Sequence, residues 1–360
     1  MTRPCQAVID LAALRHNCQL AQRLAPGSNI VAVVKANAYG HGAVPVARAL
    51  QPLVSALAVS CTEEALELRA AGIHLPILLL EGPFEAAEIQ LAAEHDFWLM
   101  LNNMRQVQWL CDAGDHAPLT VWLKADTGMN RLGLSPADLH SAHRQLQALP
   151  GVKPTLVLAT HFAAADQLDS DFTPSQMARF ETACDGLAGP RSLANSPALL
   201  AWPASHGDYV RPGIMLYGSS PFAGPQPNAA QLQPVMSLNS AVIAVREVAA
   251  GATVGYGRRW TARSPSRIAT IAIGYGDGYP RHAPSGTPLL INGQRAALVG
   301  TVSMDMITAD VTELDNIGIG SQVELWGKNL PVDEVAGWVG TIGYELLTRL
   351  SSRVARHYLD

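Results

Sequence analysis

The sequence predicts an α/β fold: a (β/α)8 barrel of the TIM type followed by an all-β domain. Three observations predict it. Through roughly the first 210 residues, short runs of consecutive aliphatic residues alternate with helical stretches, and such unalternating runs suit strands buried on both faces of a parallel sheet. There are eight of these runs, which matches eight βα units, whereas a doubly wound sheet usually needs fewer strands. Beyond Pro221-Phe-Ala-Gly-Pro-Gln-Pro227 the pattern becomes short runs with turn signals about every ten residues, as in a compact β domain.

Taken in order, Ala7 to Leu11 reads as a short strand, and Asp10 as the N-cap of a helix carrying Leu14, Cys18, Ala21 and Leu24 on one face. After Pro26-Gly27 the first barrel strand runs from Ile30 to Lys35, and a Tyr39-Gly-His-Gly42 turn leads into a helix over Ala43 to Leu50. The other seven runs are Ala56 to Val59, Ile77 to Leu80, Phe97 to Leu101, Leu119 to Lys124, Leu156 to His161, Ser192 to Asn195 and Tyr209 to Arg211. Thr62 to Ala71, Phe84 to His95 and Pro136 to Leu149 read as helices between them.

The proline-rich stretch reads as a linker. It divides the chain into a barrel domain, 1–227, and a β domain, 228–360, with residues 1–11 free to pair with the latter. Strand-like runs there are Val235 to Val248, Arg267 to Ile273, Pro288 to Leu290, Ala296 to Val302, Met306 to Val311 and Gln322 to Trp326. One helix, Val332 to Val339, precedes the Thr341 to Leu347 element.

Composition bounds the function. At 48% hydrophobic, 15% charged and a net charge of −5, the chain reads as a globular enzyme without the basic footprint of a nucleic-acid binder. No apolar run approaches the roughly 20 residues of a membrane span, and Arg3, Asp10, Arg15 and His16 interrupt any signal-peptide core, so a cytoplasmic location is expected. Five scattered cysteines without C-x-x-C spacing suggest neither a disulfide framework nor a metal site.

Several polar residues fall just past strand ends: Lys35, Lys124, His161, Ser196 and Arg211. In a barrel this is the catalytic face. A lysine walled in by apolar neighbours is a candidate for Schiff-base chemistry, although local pattern alone favours one that snorkels to solvent. In Lys124-Ala-Asp-Thr-Gly-Met-Asn-Arg131, the arginine suits an anionic oxygen; the competing reading is a loop staple between Asp126 and Arg131. His161 reads equally as a structural histidine. Gly213 and the Asn195-Ser196-Pro197 segment read either as phosphate contacts or as plain caps. The Gly-Tyr-Gly segments around Tyr256 and Tyr275 are hairpin turns on local pattern, and they lack the βαβ context of a dinucleotide fingerprint.

Val34-Lys-Ala-Asn-Ala-Tyr-Gly-His-Gly42, Lys124 to Gly133, Thr160-His-Phe162, Asn195-Ser196, Val210-Arg-Pro-Gly-Ile214, Gly255-Tyr-Gly257, Ile273 to Gly278 and Ser303-Met-Asp305 together resemble the bacterial alanine racemases. The resemblance runs in order from about residue 5 to the C-terminus. It implies a pyridoxal 5'-phosphate barrel of fold type III with a C-terminal β domain. It further implies a head-to-tail homodimer with shared sites that interconverts L-alanine and D-alanine by two bases, for peptidoglycan or for alanine catabolism.

Position by position, the resemblance implies that Lys35 holds the cofactor as an aldimine and serves one face of the substrate Cα. Tyr256 of the other subunit serves the opposite face. Arg211 faces the pyridine nitrogen, and His161 bridges Tyr256 and Arg211. Tyr39, Ser196, Tyr344 and the backbone of Gly213 and Ile214 hold the phosphate. Arg131 reaches the cofactor phenolic oxygen and the substrate carboxylate, oriented by Lys124 as an N-carboxylated lysine. Met304 of the other subunit touches that carboxylate, and Tyr275 narrows the access channel. No metal, nucleic acid or membrane is implied.

Two positions depart from the family pattern: Ser303, where cysteine is common, and Ala355, where proline is usual. A broader amino-acid racemase, a lyase or decarboxylase of the same cofactor fold, a non-catalytic cofactor carrier and an unrelated barrel are the competing readings. The bulk of Tyr344, Tyr275 and Met304 argues for a small side chain such as methyl, and a second base argues against a carrier.

Overall fold

The aliphatic runs form strands for the reason that predicted them. The computed structural model describes residues 3–360 and contains two eight-stranded sheets and a short hairpin. After β1 (Gln6–Asp10), the strands β2 (Asn29–Val33), β3 (Ala56–Val59), β4 (Ile77–Leu79), β5 (Phe97–Leu101), β6 (Val121–Lys124), β7 (Val157–Ala159), β8 (Arg191–Ser192) and β9 (Tyr209–Val210) form one parallel sheet. β3, Ala-Leu-Ala-Val, is buried throughout, so alternation of polar and apolar residues has no place in it.

β2 pairs with both β3 and β9, which curls the sheet into a barrel. The remaining seam, between β8 and β9, is sewn by the Ser192 hydroxyl donating to the Tyr209 carbonyl at 3.0 Å and the Arg211 N–H donating to the Ala194 carbonyl at 2.9 Å. Those two strands are only two residues long. One side-chain bond and one main-chain bond take over where the regular ladder runs out.

Helix ends follow local chemistry. Asp10 caps the helix Leu11–Leu24 by accepting from the Ala13 N–H at 2.9 Å, and Leu14, Cys18 and Ala21 are buried on its inner face. Asn195 caps the helix Ser196–Ala201. The Pro221 to Pro227 segment is fastened to the barrel: Gln226 and Asn228 donate to the Leu200 carbonyl at 3.2 and 2.6 Å, and Phe222 is buried.

The second sheet is antiparallel apart from its last pair. It comprises β10 (Met236–Val248), β13 (Ser266–Ile271), β14 (Pro288–Ile291), β15 (Gln294–Leu298), β16 (Ile307–Asp310), β17 (Gln322–Trp326) and β18 (Ala355–Leu359), while β11 (Thr253–Val254) and β12 (Trp260–Thr261) form the separate hairpin. The thirteen-residue β10 pairs with both β13 and β17, which closes a barrel of six strands. Its first residues also pair with β1, and β1 carries β18 on its other side in parallel register, Gln6 opposite Ala355. The first and last strands, β1 and β18, therefore both belong to this sheet.

Each large core side chain contributes about 1.5–3 kcal/mol by burial. In the parallel barrel Trp122 packs on Tyr209 at 5.0 Å; in the second domain Trp326 stacks on Tyr279 at 6.2 Å. Among the described residues no helix is long and apolar enough to cross a membrane, all five cysteines are free, and no acidic, histidine or cysteine cluster could hold a metal.

Candidate active site

The run expected to extend to Lys35 leaves the sheet at Val33. Ala36, Asn37, Ala38 and Tyr39 wind left-handed, with φ of 52, 53, 51 and 52°. None is glycine. At about 1–2 kcal/mol per residue, such a turn costs on the order of 4–8 kcal/mol. Internal bonds hold it, including Ala38 N–H to Val34 O at 2.8 Å and Gly40 N–H to Ala36 O at 3.0 Å. So does Glu64, which accepts from the N–H groups of Ala36 at 2.7 Å and Ser60 at 2.8 Å. Residues about four apart share a face of a helical turn, and Lys35 and Tyr39 line the same cavity.

That cavity has a volume of about 710 Å³ and lies beyond the carboxyl ends of the parallel strands. Ten of the residues expected to build a site line it: Lys35, Tyr39, Lys124, Arg131, His161, Ser196, Arg211, Gly213, Ile214 and Tyr344. β2, β6, β7 and β9 deliver Lys35, Lys124, His161 and Arg211; Tyr344 comes from the helix Gly343–Thr348 of the second domain.

One corner is built to donate hydrogen bonds. The Ser196 Oγ accepts from the N–H groups of Gly213 at 2.8 Å and Met215 at 3.3 Å, which leaves its own proton to give. Burial pushes the Tyr39 phenol up to about 12 and raises that of Tyr344 as well, so both stay protonated donors. Tyr39 is clamped by stacking on Tyr217 at 4.7 Å, and the Tyr217 hydroxyl donates to the Val33 carbonyl at 2.9 Å. A Cβ on Gly213 would lie 2.6 Å from the Tyr39 hydroxyl. Only glycine leaves this cradle open.

The opposite wall is cationic. Arg211 is buried, and its guanidinium donates to the carbonyls of Ser192 at 2.9 Å, Thr160 at 2.6 Å and Leu193 at 3.3 Å, all of them neutral. Burial lowers it to about 10, so it remains charged at neutral pH. Burial, then the charges of Arg211 and Arg131, lower Lys124 to about 8. Burial, followed by Arg211, Lys124, Arg131 and Lys35, holds His161 well below its usual range, so its imidazole is neutral. Four cations, Lys35, Lys124, Arg131 and Arg211, face two carboxylates, Glu81 and Glu345, in this cavity. The excess of positive charge beside three hydroxyl donors and a glycine cradle fits a compact dianion such as a phosphate.

The loop staple between Asp126 and Arg131 does not form. Asp126 instead accepts from the N–H groups of Gly128 at 2.9 Å and Asn130 at 3.1 Å, as a short acidic side chain does in a turn. Among the described residues it makes no ion pair with Arg131, which lines the cavity.

Tyr256, Tyr275 and Met304 do not line it. They are exposed at 71%, 39% and 52%, on linked loops of the second domain. Thr301 donates to the Tyr256 carbonyl at 2.9 Å, and the N–H groups of Tyr275 and Gly276 donate to the carbonyls of Ser303 at 3.0 Å and Met304 at 2.9 Å. Buried Asp277 receives two bonds from Arg3 at 2.6 and 2.7 Å and one from the Gly274 N–H at 2.9 Å, and Arg3 also donates to the Asp305 carbonyl at 3.1 Å, which ties the Tyr275 and Met304 loops together.

Sequence reasoning missed Glu64, Thr160, Ser192 and Glu81. Glu64 is the third residue of the helix Thr62–Ala70, where an acidic residue signals a cap reaching backward. Ser192 and Thr160 act on Arg211 partly or wholly through carbonyls, which no side-chain pattern reveals.

Two family models match the chain: "Alanine racemase, N-terminal domain" over residues 9–221 and "Alanine racemase, C-terminal domain" over residues 235–358. The chain is 52% identical over 357 residues to an alanine racemase of Pseudomonas taetrolens and to one of Pseudomonas putida described as catabolic, covering 99% of both partners each time. A biosynthetic alanine racemase structure from Pseudomonas aeruginosa superposes with a TM-score of 0.97 at 49% identity, covering 100% of both chains. An alanine racemase from Bacillus anthracis with bound L-Ala-P superposes at 0.89 with 32% identity, covering 100% of this chain and 96% of that one.

Proposed function

The chain belongs to the alanine racemase family and interconverts L-alanine and D-alanine, and from that premise we propose how its residues divide the work. The cofactor in this reading is pyridoxal 5'-phosphate, which when bound withdraws electrons from the substrate Cα and so acidifies its proton. The hydroxyls of Tyr39, Ser196 and Tyr344 and the backbone N–H groups of Ile214 and Gly213 hold the phosphate, the Gly213 N–H on release from the Ser196 Oγ that accepts it in the unloaded chain. Lys35 holds the aldehyde carbon through Nζ. The charge excess and open cradle of the cavity support this fit.

Inversion needs a proton removed from one face of Cα and another returned to the opposite face. Lys35 Nζ serves one face. The Tyr256 hydroxyl of a second copy serves the other, because Tyr256 is exposed and absent from the lining of its own chain's cavity. Arg211 faces the ring nitrogen and gives up no proton to it, which moderates electron withdrawal and favours return of the proton to Cα. His161, neutral in its buried position, links Arg211 to that tyrosine by hydrogen bonds. Arg131 binds the cofactor phenolic oxygen and the substrate carboxylate, oriented by N-carboxylated Lys124. Met304 of the second copy meets the carboxylate through its backbone, and Tyr275 narrows the access channel.

The same reading takes the protein as a cytoplasmic homodimer of a 1–227 barrel domain, whose first strand pairs into the second sheet, and a 228–360 β domain, with five free thiols that suit a reducing compartment. Its product serves peptidoglycan or its substrate serves catabolism; relatives are named for each direction. The single observation that carries the reading is the convergence of ten expected residues on one cavity while Tyr256 stands outside it.

Mixing tests it. Lys35→Ala and Tyr256→Phe are each expected to lose racemisation, and Tyr256→Phe alone to slow Cα exchange in deuterated water far more from one enantiomer. Dissociated and remixed, the two variants form mixed dimers with one intact site, so activity returns to about a quarter of wild type at statistical mixing. No recovery, or equal slowing from both enantiomers, would sink the shared two-base assignment.

A further inference from the structure

The left-handed turn that carries Lys35 into the cavity is expensive, and its outer side is held by the other end of the chain. β18 sends two side chains to it. The Arg356 Nε–H donates to the Gly40 carbonyl at 2.7 Å, and the Tyr358 hydroxyl donates to the His41 carbonyl at 3.1 Å. Residues two apart on a strand share a face, so a single strand presents both donors together. The glycines opposite are also two apart. A Cβ on Gly40 would overlap the Leu347 carbonyl, and one on Gly42 would overlap the Tyr358 hydroxyl.

The donors are themselves fixed. The Arg356 guanidinium also donates to the carbonyls of Val354 at 3.0 Å and Leu350 at 3.2 Å, a fan that a lysine's point charge does not reproduce. Arg356 and Tyr358 lie opposite Ala7 and Ile9 of β1, whose partner β10 belongs to the closed second barrel. The turn also contains its own cap. His41 is fully buried against the Tyr217 ring at 4.6 Å, with Nδ1 placed 3.1 Å from the Ala38 carbonyl and 2.9 Å from that of Tyr39. Two acceptors around Nδ1 put the ring's single proton there. The carbonyls of four successive residues, 38 to 41, are thus each met by a side-chain donor, two of them from across the domain boundary.

We propose that Arg356 and Tyr358 are positioning residues: an interdomain clamp that holds the left-handed turn in the shape that presents Lys35 and Tyr39 to the cavity. The clamp touches neither substrate nor cofactor. It acts through the backbone of Gly40 and His41, and its bearing on catalysis rests on Lys35 being the cofactor anchor.

The test uses the full-length chain, unloaded and loaded, with Tyr358→Phe, Arg356→Lys and Arg356→Met. Amide hydrogen exchange of residues 36–43 in unloaded protein reads the turn directly. Tyr358→Phe and Arg356→Met are expected to speed it about tenfold or more while the 236–248 peptide is unchanged, since each removes one donor from an already strained segment. Titration with pyridoxal 5'-phosphate, with borohydride trapping and mass analysis of the Lys35 peptide, is expected to show capture weakened about 3- to 10-fold by Tyr358→Phe, and Arg356→Lys to fall between wild type and Arg356→Met.

Unchanged exchange at 36–43, or exchange that rises equally across both domains, overturns the clamp. So does wild-type capture at Lys35 in variants whose turn exchanges faster. Wild-type protein that fails to trap pyridoxal at Lys35 refutes the assigned function instead, and the exchange measurement still decides the clamp.

Discussion

Replacing Lys124 with methionine should make the unloaded protein more stable at neutral pH. Lys124 is 7% exposed, and burial followed by the charges of Arg211 and Arg131 lowers its pKa from 10.5 to about 8. At 1.36 kcal/mol per unit, charging this amine inside the fold costs about 3 kcal/mol. The sign follows from proton binding. Between pH 8 and 10.5 the unfolded chain holds a proton that the folded chain has released, so stability rises with pH through that window, and below pH 8 the folded state carries the whole penalty. Lys124→Met keeps an unbranched side chain only one atom shorter, without the charge. It should gain on the order of 1–3 kcal/mol at pH 7 and lose the rise above pH 8.

Denaturant midpoints of both proteins from pH 6.5 to 10.5, in buffer free of carbon dioxide, give the measurement; the difference between the curves isolates this lysine. Parallel curves would refute the reasoning. A lowered pKa also matters chemically. At pH 7.5 roughly a quarter of an amine of pKa 8 is neutral, about 200-fold more than for an ordinary lysine. Carbon dioxide adds to the neutral nitrogen with release of a proton, which turns a cation beside Arg131 into an anion. With 13C-labelled bicarbonate, wild type should show a carbamate carbonyl signal by NMR that Lys124→Met lacks.

Two further outcomes are expected. Gly213→Ala places a Cβ 2.6 Å from the Tyr39 hydroxyl; overpacking costs about 1–3 kcal/mol, so affinity for pyridoxal 5'-phosphate should fall about 5- to 150-fold in an absorbance titration of unloaded protein. Asp277 is held below its usual carboxylate range by the hydrogen bonds and charge of Arg3, against the opposing effect of burial. Its stabilisation is present above the unfolded value and is lost as pH falls through the folded one, so Asp277→Asn should flatten the acid limb of the thermal midpoint. It should also raise proteolytic nicking in the loops of Tyr275 and Met304.

The eight parallel strands were legible because burial on both faces demands consecutive aliphatic residues. β8 and β9 were faint for a physical reason: two residues of ladder leave little pattern, and Ser192 and Arg211 complete the seam. β18 was missed because Ala-Arg-His-Tyr-Leu shows no clean alternation, since its residues answer to β1 and to the Lys35 turn rather than to a buried face. Local pattern around Asp126 favoured a staple to Arg131, but the nearby N–H groups of the turn satisfy that carboxylate and leave the arginine for the cavity.

By itself the sequence determined which chemistry this protein carries: two lysines, an arginine, a histidine and a serine at or near the ends of parallel strands, and motifs spaced as in a racemase family. What only the tertiary structure decided is how Lys35 is presented. Ala36-Asn-Ala-Tyr39 contains no glycine, and nothing local favours four left-handed residues in a row. Their cost is met by partners remote in the chain, Glu64 and, more than 300 residues away, Arg356 and Tyr358. Strain of this kind leaves no signature where it is stored, because the atoms that stabilise it belong to other segments.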